Sequence, residues 1–277
     1  MLRSRNQRIG FIFFTLAMSF SLFGQKEDLL QKHLDSIGSA DARKNATYRL
    51  ALGIAEFTVK APESKFRGRA LMASDGSDLM FLSNFGATEY SHEKVGLFGG
   101  KPSLPFISQG LRSPLGMFLQ VNSKILTERI FGGTMLSTWR LLKSESTFEL
   151  SGTSKKKVNG RQAVVARLNL KDGLSGDSMI KLYFDAENYR LIRTEYSQTI
   201  GEKEFAPIGT FGGGVSENVN SLVEDFSDFR KAGELTLPYK YTATLTLSEV
   251  RWTKEFSWDF TVDEYKFQRF QEGFFKF

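Results

Sequence analysis

Two histidines, His33 and His92, and no cysteine limit the chemistry open to this chain of 277 residues. A serine triad needs a histidine as base. His33 recurs with Leu29, Leu30, Leu34 and Ile37 at three- and four-residue steps, the place of a core histidine on the apolar side of a helix. His92 follows Tyr90-Ser91 in a strand pattern, and no Gly-x-Ser-x-Gly elbow occurs in the chain, so the pattern does not support a triad. Two histidines far apart in sequence do not make a usual nitrogen or sulfur metal site. The acidic stretches Asp172 to Asp177 and Asp225 to Asp228 lack calcium-loop spacing and read as turns. Gly209 to Gly214 lacks the lysine and Ser/Thr of a phosphate loop and reads as a connection. Among 31 acidic residues nothing singles out a facing pair for glycoside cleavage. The expectation is a protein without catalysis, cofactor or metal.

The first residues set the compartment. Arg3, Arg5 and Arg8 precede an apolar, uncharged run from Ile9 to Phe23 that ends at Gly24. That is the layout of a secretory signal peptide over 1–24, followed by one domain over 25–277. The run is shorter than a spanning helix requires. Leu22 is large for its place before a cut, which keeps an uncleaved anchor as the alternative. The chain carries a net charge of +6, and removing the three leader arginines leaves +3. The compact basic run Lys155 to Lys157 lies beside Asn159-Gly160 and reads as a solvated hairpin tip. No nucleic-acid partner is therefore expected.

After the leader, Leu29 to Ile37 read as one amphipathic helix closed by Gly38. Strand signals follow at Leu50 to Lys60, Lys65 to Ala73, Asp78 to Asn84 and Thr88 to Val95. The stretch from Gly99 to Gly133 holds Pro102, Pro105 and Pro114 with many glycines, and no strand is expected in it. There Ser113-Pro114 can cap and begin a helix, with one or two helices ending at Gly132-Gly133. Strands resume at about Trp139 and continue in hairpins to Asp263. The fold class expected is mainly β with helices (α+β): a curved antiparallel sheet forming an incomplete barrel, its concave face covered by helices.

The chain contains 26 phenylalanines against eight tyrosines and three tryptophans. Along one strand Leu237, Tyr239, Tyr241, Ala243, Leu245 and Leu247 alternate with polar residues, and along the next Phe256, Trp258 and Phe260 share a face. Such walls either pack solid or leave an apolar space for a guest. If a cavity exists, its lining is expected from Tyr239, Tyr241, Leu245, Leu247, Phe256, Trp258 and Phe260. Its lid is expected from Leu115, Phe118, Leu119, Ile125 and Ile130. All could equally be plain core.

Several stretches resemble the periplasmic lipoprotein-carrier superfamily (LolA/LolB-like), the group of the outer-membrane lipoprotein-sorting chaperone and its membrane receptor. LLQKHLDSIG (29–38) is similar to that group's opening helix. VNGRQAVVARLNLKDG (158–173) with IKLYFDAENYRLIRTEY (180–196) is similar to its central hairpin, and VEDFSDFRKAGELTLPYKYT (223–242) to its later strands. The segment from Arg112 to Leu142 resembles a variant of the short lid helices. The resemblance implies an unclosed barrel with an apolar cavity for lipid groups, located in the periplasm. No position here matches a residue the true carrier uses for cargo transfer. The expected function is binding or carriage of lipid, lipoprotein acyl chains or another hydrophobic ligand. The alternative is a structural or interaction module of the envelope with a packed core. Expected partners are lipid or a lipidated protein, with transient contact to envelope membranes or membrane proteins.

Overall fold

The computed structural model describes residues 28–60, 62–86, 90–108, 110–142, 149–169, 177–200, 218–249 and 252–276. The leader, Gly209 to Gly214 and the stretch 172–176 lie outside these residues.

Helix α1 spans 28–37, where the apolar spacing places it, and a second short helix that the sequence reading did not anticipate, α2 (Ala40–Asn45), follows at once. The Ser39 side chain caps α2 by accepting from the Ala42 N–H. Then come β1 (Arg49–Lys60), β2 (Ser64–Ser74), β3 (Leu79–Asn84), β4 (His92–Phe98) and β5 (Lys101–Ser103). A crossing segment carries α3 (Pro114–Val121), α4 (Lys124–Thr127) and two 3-10 turns at Gly133–Met135 and Arg140–Leu142. Strands β6 (Glu149–Val158), β7 (Arg161–Asn169), β8 (Asp177–Asp185) and β9 (Leu191–Ile200) follow. The long strands β10 (Asn218–Ala232), β11 (Leu235–Glu249) and β12 (Trp252–Lys266) come after them.

All twelve strands form one antiparallel sheet in the order β5-β4-β3-β2-β1-β12-β11-β10-β9-β8-β7-β6. Two meanders are joined in the middle by β1 and β12, with Phe57 opposite Trp258 and Ala55 opposite Phe260. The edges are β5 and β6, which are consecutive in sequence, so the crossing segment must travel from one edge of the sheet to the other. The Asn159-Gly160 turn forms as expected: both residues have positive φ, 47° and 84°, the backbone of a type I′ hairpin.

The sheet is strongly curled. Strands β4 and β9 are seven neighbours apart, which on a flat sheet is about 34 Å. Yet α3, a helix about 12 Å long, reaches both: Ser113 at its start bonds Glu93 of β4, and Asn122 at its end bonds Gln198 of β9. Phe81 of β3 likewise meets Tyr241 of β11 with ring centroids 6.4 Å apart, where four flat strand spacings would be about 19 Å. The main hydrophobic cluster accordingly draws side chains from every strand except β5 and from the crossing segment. Helices α1 and α2 add a second cluster, in which Ile37, Ala42 and Ala46 meet Leu235 and Leu237. The incomplete barrel with helical cover is as the sequence led one to expect.

Two local expectations are corrected. The proline-bearing stretch contains a strand after all, because edge strand β5 pairs with β4 on one side only and Pro102 needs no partner for its missing N–H there. Trp139 does not start a strand; it is fully buried next to a 3-10 turn, and β6 begins at Glu149. Near the carboxy-terminal end, Phe270, Phe274 and Phe275 pack on Leu50, Ala73 and Met80, the opposite face of β1 to β3.

Candidate functional site

The inner wall is built by cross-strand rows. Tyr241 faces Phe260, Ala243 faces Trp258, and Leu245 faces Phe256. On the other side of β12, Ala55 stands opposite Phe260 and Phe57 opposite Trp258. Small residues beside large rings let the aromatic side chains tilt and stack. Phe57 is the hub, 4.0 Å from Tyr90 and 5.1 Å from Trp258 between ring centroids.

The residues expected to line or cover a cavity do converge. Tyr241, Leu245, Phe256, Trp258 and Phe260 from the wall, and Leu115, Phe118, Leu119, Ile125 and Ile130 from the crossing segment, are buried members of one cluster. Tyr239 and Leu247 are half-buried and pack at its margin. Tyr239 also stacks edge-on against Tyr265. None of the five crossing-segment residues is more than 5% exposed. The segment therefore lies packed within the same cluster as the wall. Three pockets bounded by described residues lie elsewhere: one of about 550 Å³ beside the Asn159-Gly160 hairpin, one of about 550 Å³ between α1, α2 and the β2–β3 turn, and one of about 250 Å³ under Arg112.

Besides this apolar packing, polar contacts tie the segment down, and the sequence reading missed most of them. Glu93 is fully buried and accepts from Ser113 Oγ at 2.5 Å and from Tyr90 OH. Trp258 Nε1–H donates in turn to Tyr90 OH at 3.3 Å. Ser113 also caps α3 by accepting from the Gly116 N–H at 2.8 Å, so a single hydroxyl begins the helix and anchors it. Further along, the fully buried Glu224 of β10 accepts from the Gly132 N–H at 2.7 Å, Tyr241 OH at 2.8 Å and Tyr196 OH at 2.6 Å. Arg49 Nη1 donates to Thr134 O at 2.6 Å, and Ser74 Oγ meets Ser137 Oγ at 2.8 Å.

Burial is the main force on the titrations here. It lifts Glu93 and Glu224 to about 7, against the pull of their hydrogen-bond donors. It also raises Tyr196 and Tyr241, which the charge of Glu224 raises further. His33 is a core histidine as read: burial drops it to about 4, with its Nδ1 2.8 Å from Tyr189 O and its ring against Trp139 and Phe184. A signal for the carboxylates was present in the sequence. Glu93 alternates in step with Val95 and Leu97, and Glu224 with Leu222 and Phe226, all buried, so strand parity points both inward.

No protein-family model matches the chain, and no curated protein matches it either. Among solved structures, it is similar to a LolA superfamily protein from Nitrosomonas europaea, with 10% identity, TM-score 0.47 and 91% of this chain matched to 97% of that one. A putative outer membrane lipoprotein-sorting protein domain from Vibrio parahaemolyticus is 14% identical, with TM-score 0.44 and coverage of 89% and 97%. A DUF1329 family protein from Desulfovibrio piger is 12% identical, with TM-score 0.48 and coverage of 91% and 97%. The architecture itself rests on the strand pairing, which defines an open antiparallel sheet curled around a helical crossing segment.

Proposed function

We propose that this chain is an exported, periplasmic binding or carrier protein for a hydrophobic molecule: lipid, the acyl chains of lipidated proteins, or a ligand of similar character. One observation carries the reading. The sheet ends at β5 and β6 without joining them, and its apolar inner wall is covered by a separate segment held at a few polar points, Glu93, Glu224, Arg49 and Ser74. An unjoined barrel can widen without breaking a strand pair, and a guest that replaces the segment's apolar contacts with the wall lets the segment lift as a unit once these hydrogen bonds part. The guest then takes the places of Phe118, Leu119 and Ile125 against Trp258 and Phe260. Catalysis forms no part of this reading, because the protein's own donors already occupy both buried carboxylates.

The test is uptake of a fluorescent fatty acid by delipidated protein, followed by thermal denaturation with and without the lipid. Binding raises the melting temperature with the logarithm of ligand concentration over Kd once the ligand is in excess. No uptake and no shift would count against the carrier. The second reading, an envelope module with a dry core, is favoured by the near-complete burial of Leu115, Leu119, Ile125 and Ile130. It predicts a stoichiometric protein partner recovered by cross-linking in the periplasm, without co-purifying lipid.

A further inference from the structure

The pocket of about 550 Å³ between α1, α2 and the β2–β3 turn has a charge imbalance. Arg43, Lys44 and Arg49 contribute to its wall, against one carboxylate, Asp75. That carboxylate is engaged in its own turn, where Oδ1 accepts the N–H groups of Ser77 and Asp78 at 2.9 and 2.8 Å. Arg43 Nη1 is turned to the end of α1, donating to Leu34 O and Gly38 O. Lys44 is exposed at the rim.

Arg49 is the informative member. It is 1% exposed, and its Nη1 donates to Thr134 O, but Nε and Nη2 find no partner in the protein. Buried donors without acceptors are costly, more so on a charged group. These two atoms form the side-on fork with which arginine takes both oxygens of an oxyanion. The same fork is filled elsewhere in this molecule: Arg193 Nε and Nη2 hold the two oxygens of Asp225 at 2.7 and 2.8 Å. At Arg49 it has no partner in the protein and both atoms are closed to solvent, on a residue that borders the cationic pocket, so a ligand there reaches the fork when the guanidinium turns outward.

We propose that this pocket binds a phosphate ester, two of whose oxygens take the Nε–Nη2 fork of Arg49 as its guanidinium turns toward the pocket, while Lys44 and Arg43 balance the remaining charge. Leu34 and Leu142 border the organic part of the ligand. The volume exceeds what a bare phosphate needs, which favours an esterified group, whether on a free metabolite or on a lipid. This site is independent of the carrier reading, since a phosphate ester without acyl chains fills it.

The experiment uses the full chain and titrates glycerol 3-phosphate and dihexanoyl phosphatidic acid by calorimetry and thermal denaturation, with sodium chloride at matched ionic strength as control. Both probes are expected to raise the melting temperature above the salt control. Lys44→Glu and Ser77→Glu, changes at exposed positions, are expected to weaken binding about tenfold or more without altering the melting temperature of the free protein. Arg49→Lys keeps the charge but removes the fork and is expected to lose more; if it does not fold, Lys44→Glu carries the test. Binding of glycerol 3-phosphate identifies a free ester as sufficient. Binding of phosphatidic acid alone, with the same dependence on Lys44, identifies a lipid headgroup. No binding of either probe, or binding undiminished in Lys44→Glu, overturns the proposal.

Discussion

Glu224 and Glu93 occupy inward positions where a leucine would avoid the cost of burying a carboxyl group. Their donors explain why they are tolerated: three groups converge on Glu224 and two hydroxyls on Glu93. Removing the carboxylate strands those donors, so Glu224→Ala is expected to cost about 3 kcal/mol, against about 1 kcal/mol for Tyr196→Phe, read from urea midpoints. The pH dependence has a definite sign. Both carboxyls titrate near 7 when folded but near 4.5 when unfolded, so the folded state binds more protons between these limits. Their contribution to stability is fully present below about 4.5 and is lost as pH rises through 7, on the order of 3 kcal/mol for each group. His33, held down to about 4, acts in the opposite direction between 4 and its unfolded value of 6.5. The stability difference between wild type and Glu224→Gln should therefore shrink from pH 5 to pH 8. A difference independent of pH would refute the assignment. The acidic residues were visible in the sequence, and their parity showed the face; the donors from distant strands were not visible.

The crossing segment obeys local rules closely. Ser113-Pro114 starts α3 as the sequence predicts, with the cap bond in place. Ser113→Ala removes both the cap and one donor to Glu93, and about 2 kcal/mol of destabilisation is expected by chemical denaturation. Gly133 is a sharper case. Its φ of 47° lies in the left-handed region, and a Cβ there would fall 2.7 Å from Phe226 Cζ and 2.9 Å from Leu191 Cδ2. Gly133→Ala is thus expected to lower stability by about 1 to 3 kcal/mol, more than Gly152→Ala at an open positive-φ position. Equal costs at the two sites would mean that close approach to the wall does not matter. Helix α2 and strand β5 went unread because six and three residues are too short for periodicity to register.

Opening is a property of the assembled molecule, and the absence of cysteine makes it testable. Ser74 and Ser137 place their hydroxyls 2.8 Å apart, 63 residues apart in sequence, close enough for a disulfide between the corresponding cysteines. In the double variant Ser74→Cys/Ser137→Cys, oxidation should pin the crossing segment to β2 and raise stability by about 4 kcal/mol. In the carrier reading it should also abolish fatty-acid uptake, with reductant restoring it. Uptake unaffected by oxidation would show that a guest enters without the segment lifting.

The succession of strands, the amphipathic first helix, the capped helix in the middle and the alternating walls of β11 and β12 are written in local patterns of hydrophobicity and turn chemistry, and so the sequence by itself determined them. Strand alternation also set Leu237, Tyr241 and Leu245 on one face of β11 and Phe256, Trp258 and Phe260 on one face of β12. Whether those faces enclose a space or a solid core depends on side chains that meet across the curled sheet, such as Phe81 with Tyr241 and Phe118 with the wall. Those contacts, the two buried carboxylates with their borrowed donors, and the burial of Arg49 against Thr134 join residues tens of positions apart, and they arise when the chain folds back on itself.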